Sequence, residues 1–87
     1  MYVFHSDPGH AWLAVKRSEL VRLGVLDRIS QCSYQKGGTV YLEEDCDAGI
    51  FIRAKEAAGE KFEYRESYQE NTPIRYYDRF SYDRFSS

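Results

Sequence analysis

One strand-to-helix junction, Thr39–Asp47 (TVYLEEDCD), constrains this chain more than any other stretch. Thr39, Val40, Tyr41 and Leu42 are strand formers, and Gly37-Gly38 ahead of them is a turn pair. Glu43, Glu44, Asp45 and Asp47 follow, with Asp47 or Asp45 placed to cap a helix starting near Ala48. The free N–H groups of a helix start favour acids, so part of the cluster is explained by structure alone. Four acids exceed what one cap needs. A strand that passes directly into a helix also requires a sheet for that helix to cover.

The rest of the chain supplies one. Tyr2, Val3 and Phe4 read as a short strand, His5–Gly9 as a turn built on Asp7-Pro8-Gly9, and His10–Lys16 as a second strand, together a hairpin. Ser18 is placed to cap a helix over Glu19–Leu23 that buries Leu20 and Leu23, and Gly24 stops it in a left-handed conformation. Val25–Ser30 fits a tethered loop or a short strand, and Cys32–Tyr34 extends toward the Gly37-Gly38 turn. The second helix spans about Ala48 to Ala58. Ile50, Phe51, Ala54, Ala57 and Ala58 fall on one side, while Arg53, Lys55 and Glu56 face out. Lys61–Tyr68 alternates, with Phe62, Tyr64 and Tyr68 on one face, which predicts a strand of an antiparallel sheet. Asn71-Thr72-Pro73 turns the chain into a final strand over Ile74–Tyr77. The expected fold is α+β: an antiparallel sheet of four to five strands with two helices on one face.

The 87 residues suit one domain, assigned to 1–80, with 81–87 as a C-terminal extension. That extension carries the second copy of a tandem pentapeptide, Tyr77–Ser81 and Tyr82–Ser86, too few copies for a solenoid and expected to fray. Charge is unevenly spread: five Lys/Arg against three Asp/Glu in residues 1–42, and seven against eleven in 43–87. This argues against direct nucleic-acid binding, which calls for a basic stripe. No basic recognition helix supports a transcriptional regulator either. No run is long and apolar enough to span a membrane, and nothing resembles an export signal, so a cytoplasmic location is expected. Cys32 and Cys46 are accordingly expected to be free thiols. Cys46, between Asp45 and Asp47, reads as a buried and inert thiol, because carboxylates raise its pKa and no base stands nearby.

Two constellations bear on function. His5, Asp7 and His10 lie within one turn, and His with carboxylate is the material of metal and acid–base sites. Their spacing matches no fixed ligand pattern, and Pro8-Gly9 makes the segment a turn first. The acids Glu43, Glu44, Asp45 and Asp47 lack the glycine-containing spacing of a calcium loop. They suit an anionic patch that meets a basic protein surface, including one shaped for phosphates. Tyr34, Tyr76 and Tyr77 are candidates for adjoining contact area. No cofactor motif is present.

Ser6-Asp7-Pro8-Gly9-His10-x-Trp12-Leu13, Ser33-Tyr34-Gln35, Val40–Asp47 and Thr72-Pro73-Ile74-Arg75-x-Tyr77 resemble a group of small proteins carried on bacterial plasmids and phages. The likeness covers most of residues 3–80 and leaves out the second pentapeptide. It implies a mobile-element context, where small stand-alone proteins often inhibit host defence, and anti-CRISPR proteins are similar in size and style. No residue roles follow from it. The resulting expectation is a non-enzymatic inhibitor that covers the DNA-engaging surface of a Cas effector with its acidic patch, as monomer or homodimer. The alternative is a small metal-dependent or acid–base enzyme using His5, Asp7 and His10.

Overall fold

The computed structural model describes residues 1–82. Six strands are present: β1 (Tyr2–Ser6), β2 (Ala11–Lys16), β3 (Tyr34–Lys36), β4 (Thr39–Glu43), β5 (Tyr64–Tyr68) and β6 (Asp78–Arg79). Two helices, α1 (Arg17–Arg22) and α2 (Ala48–Ala57), complete an α+β fold. The strands form one sheet in the order β5-β1-β2-β4-β3-β6. All pairings are antiparallel except β1 with β5, which run parallel from Tyr2↔Tyr64 to Ser6↔Tyr68.

The expected hairpin forms, and a second one joins β3 to β4. β1 and β2 pair from Val3↔Ala14 to Ser6↔Ala11, and β3 and β4 meet across Gly37-Gly38 with Lys36↔Thr39 in register. Gly37 adopts φ 60°, the left-handed region that a two-residue hairpin turn demands. Alternation then divides the sheet residues between two faces. Leu13↔Leu42 and Val15↔Val40 are cross-strand neighbours on one face. They are buried there with Leu20 of α1 and with Ala48 and Phe51 of α2. Each fully buried Leu contributes roughly 1.5–3 kcal/mol through apolar burial. Both helices thus cover one face, and the opposite face carries His5, Trp12, Tyr34, Tyr41 and Glu43.

The chain departs from the expectations at several elements. α1 begins at Arg17, Lys16 is its N-cap residue, and no side chain caps it, so Ser18 lies inside the helix. Its end is as expected: Gly24 has φ 72°, its N–H donates to the Val21 carbonyl and that of Val25 to Leu20, a Schellman stop. Asp47 precedes α2 without a side-chain capping bond. Within α2 it is Lys55 that is buried, its aliphatic stem packed inward and its Nζ 5.3 Å over the Tyr2 ring. Ala57 and Ala58 are exposed instead. The final strand of the expectation is a 3-10 turn, Pro73–Tyr76, which Thr72 caps by accepting the Ile74 N–H at 3.0 Å.

β5 is shorter than the alternating stretch and sits at an edge, parallel rather than antiparallel to its neighbour. Alternation shows that a strand has two unlike faces, but it carries no information on the direction of its partner. β6 comes from the first pentapeptide copy, whose Phe80 is buried in the core. Arg17 fastens the two residues after Phe80, donating to the Ser81 and Tyr82 carbonyls at 3.2 and 2.6 Å. The remainder of the second copy lies outside the described residues.

Glu60, just past α2, ties the two helices together. Arg22 grips its carboxylate at 2.7 and 2.8 Å, and Lys55 donates to it at 2.9 Å. Hydrogen bonds from Arg22 and Lys55 pull the Glu60 pKa down to about 2. A carboxylate held below its unfolded value stabilises the fold above that value and loses the contribution as pH falls through the folded one. Urea midpoints should therefore fall between about pH 4.5 and about pH 2. Glu60→Gln should flatten part of that slope, the remainder belonging to Asp7 and Glu19, which are also lowered. A variant with an unchanged slope would show that Glu60 contributes nothing to the acid transition.

Candidate functional site

The helix-free face of the sheet carries a pocket of about 360 Å³ at the end where β2 begins and β4 stops. It assembles residues from four separate segments of the chain. The first is the turn before β2. Asp7 Oδ1 accepts the Gly9 and His10 N–H groups, both at 2.9 Å, so the Asp-Pro-Gly turn is fastened by its own aspartate. This presents the His10 ring, whose Nδ1 lies 3.2 Å from Glu43 Oε2. The register of β2 on β4 puts Glu43 opposite Trp12, and Trp12 lies 5.8 Å from the His10 ring. Trp12 and Tyr34, 6.2 Å apart and edge to face, supply the pocket's aromatic surface.

The second and third segments bring the cysteines. Asp47 is buried, and its Oδ2 accepts from Ser30 N–H at 3.0 Å, Ser30 Oγ at 2.9 Å and Ser33 Oγ at 2.6 Å. Ser33 Oγ in turn accepts the Glu43 N–H at 3.0 Å. This network pins residues 30–33 against the end of β4, and it sets Cys32 Sγ 2.8 Å from Cys46 Sγ. Cys46 donates that contact and is exposed, which corrects the expectation of a buried thiol. The expected raised pKa is present: the Cys32 contact, burial and the Glu43 and Asp47 charges push Cys46 up to about 12.

The fourth segment is the C-terminal pass of the chain. Arg75 grips Asp7 with Nε at 2.6 Å and Nη2 at 3.0 Å, and its guanidinium lies 5.4 Å over the Trp12 ring. That pairing holds the Asp7 carboxyl well below the usual carboxylate range. Arg79 lies 4.6 Å over the Tyr34 ring and donates to the Gln31 carbonyl at 2.9 Å. No ion pair engages Arg79 among the described residues. The buried Trp12 indole N–H has no acceptor among the described residues.

The candidate residues named from sequence are redistributed by this geometry. Of the acidic cluster, Glu43 and Asp47 point inward and serve the network above, so they do not form a surface patch. Glu44 and Asp45 are exposed, and neither carboxylate has a partner among the described residues. Tyr34 is half-buried in the pocket wall. Tyr77 is half-buried against Tyr41 at 5.2 Å with Lys36 4.8 Å over its ring, whereas Tyr76 is 88% exposed. His5, Asp7 and His10 do not share a site. His5 packs beside Tyr41 with its pKa lowered by burial and by Arg65, Asp7 serves Arg75, and His10 serves Glu43. No group of three His, Cys, Asp or Glu among the described residues is arranged to hold a metal ion.

The two cysteines are free thiols as expected, but their contact and the roles of the two arginines were missed from sequence. A signal for the first existed. A hairpin centred on Gly37-Gly38 places residue 32 opposite residue 43, three residues from Cys46. Compared with known proteins, the chain matches no family model, no curated protein and no solved structure.

Proposed function

We propose that this protein is a non-enzymatic binding protein that inhibits a bacterial defence complex, with a Cas effector as the target class. Its contact surface is built on the acidic turn after β4: Glu44 and Asp45 meet a basic, DNA-engaging surface, and the exposed Tyr76 offers apolar contact. The observation that carries the reading is the pair of exposed carboxylates, without partners among the described residues, held on a short turn between β4 and α2. Ion pairs already satisfied within a protein contribute little to a partner, whereas unpaired charges on a fixed turn steer and orient one. The target class rests on the resemblance to mobile-element proteins, and a cytoplasmic site of action follows from that target. No helix among the described residues is long and apolar enough to cross a membrane.

The enzyme alternative has less support, because His5, Asp7 and His10 each serve a different partner. Tagged protein incubated with lysate containing CRISPR effector complexes should retain an effector subunit in stoichiometric amount. Glu44→Lys/Asp45→Lys should weaken retention at least ten-fold at low salt, since two charges are reversed. An effector bound equally by the double variant, or no effector bound by the folded wild type, would overturn the proposal.

A further inference from the structure

Two thiols in contact on the wall of a pocket form a chemically distinct feature that partner binding does not use. Cys32 and Cys46 are separated by a whole hairpin in sequence, yet their sulfurs are 2.8 Å apart. Asp47 and its serine donors fix the loop that makes the contact. Cys46 is accessible to solvent and Cys32 partly so, and both line the pocket. The same pocket holds the Arg79 guanidinium, without a carboxylate partner among the described residues. Glu43 lines the pocket too, but its two oxygens are taken by His10 and by the Asp45 N–H at 2.8 Å. Glu44 and Asp45 do not line it.

We propose that this pocket is a dithiol exchange site for small anionic disulfides, which it reduces while Cys32 and Cys46 become joined. Arg79 receives a carboxylate of the incoming molecule, and the aromatic walls hold its body. Cys46 donates its S–H toward Cys32, so Cys32 presents the sulfur lone pair and attacks first. The Cys32 contact and burial push the Cys46 thiol up to about 12, so Cys46 keeps its proton in the first step. Cys32, as thiolate, attacks one sulfur of the small disulfide; a mixed disulfide forms and the first small thiolate leaves, taking up the proton that Cys32 released. Cys46 then attacks the Cys32 sulfur, expels the second small thiolate and gives up its own proton to it. Two protein thiols are oxidised to one disulfide, and one small disulfide is reduced to two thiols.

Glutathione disulfide, which carries carboxylates, and cystamine, which carries two ammonium groups, are the probes. The reduced full chain incubated with glutathione disulfide should lose two thiols, release two glutathiones per chain and end without an adduct, as read by intact mass. The only tryptophan, Trp12, lies in the pocket, so its fluorescence should be quenched in step. Glutathione disulfide should react roughly five-fold faster than cystamine, and Arg79→Ala or high salt should remove the preference. Cys46→Ser should trap one glutathione on Cys32. A wild-type chain that stays glutathionylated, keeps both thiols, or reacts as fast with cystamine would overturn the proposal. The probe comparison on wild type holds even if Arg79→Ala disturbs β6.

Discussion

Asp47→Ala is expected to lower the free energy of unfolding by about 3 kcal/mol, although the residue caps no helix. Asp47 is only 2% exposed, and three donors converge on its Oδ2. Hydrogen bonds to a charged acceptor are the stronger kind, and removing the acceptor leaves the fully buried Ser33 hydroxyl without its 2.6 Å partner. Asp47→Asn, which keeps an oxygen but loses the charge, should cost less. Urea denaturation of the three proteins measures the series. A loss below about 0.5 kcal/mol for the alanine variant, the level of an ordinary surface change, would mean that the loop is held by something else. The same variant should free residues 30–33 and separate the two thiols, so the contact between Cys32 and Cys46 depends on a residue that touches neither ring nor ligand.

Phe51→Ala should be more damaging, at about 4 kcal/mol. Phe51 is fully buried and meets the Tyr2 ring edge to face at 5.4 Å and the Phe62 ring at 6.4 Å. Those two rings stack on each other at 5.5 Å, and Phe62 stacks on Tyr64 at 5.6 Å. This aromatic group joins α2 to the approach of β5, so a cavity at Phe51 removes packing from both. A chain of 87 residues has a total stability of only about 4–13 kcal/mol, so the loss is a large share of it and the variant should melt at a much lower urea concentration than wild type. Phe51→Leu should retain most of the stability. Near-ultraviolet circular dichroism and urea melts distinguish these outcomes, and an alanine variant with a wild-type melt would show that the aromatic group repacks.

Local chemistry made much of the fold legible. Gly24 and Gly37 mark their turns because few other residues accept the left-handed conformation, and Leu13, Val15, Val40 and Leu42 alternate because one face of their strands is buried. Contacts between distant segments were less legible. Nothing around Lys61–Tyr68 indicates that β5 will lie parallel to β1, since that pairing is decided by where α2 delivers the chain. Asp47 reads locally as a helix cap, but two serines in another loop compete for it, and three donors outweigh one capping bond. Arg75 and Asp7, 68 residues apart, say little singly and form the buckle of the pocket together. The acidic run showed four charges, and only the placement of Ser33 and His10 decides that Glu43 and Asp47 turn inward while Glu44 and Asp45 face out.

The order of strands in the sheet also has a consequence for synthesis. The four central strands are the first four in the chain, and the two outermost are the last two. A nascent chain that has emerged as far as Ala58 already holds β1 to β4 and both helices. Its β1 and β3 still present unpaired backbone to their surroundings, and such edges invite pairing with other chains. The last third of the protein supplies both edge strands, together with the segment carrying Arg75 and Arg79. Synthesis of that last third therefore gives β1 and β3 their outer partners and builds the pocket in the same interval.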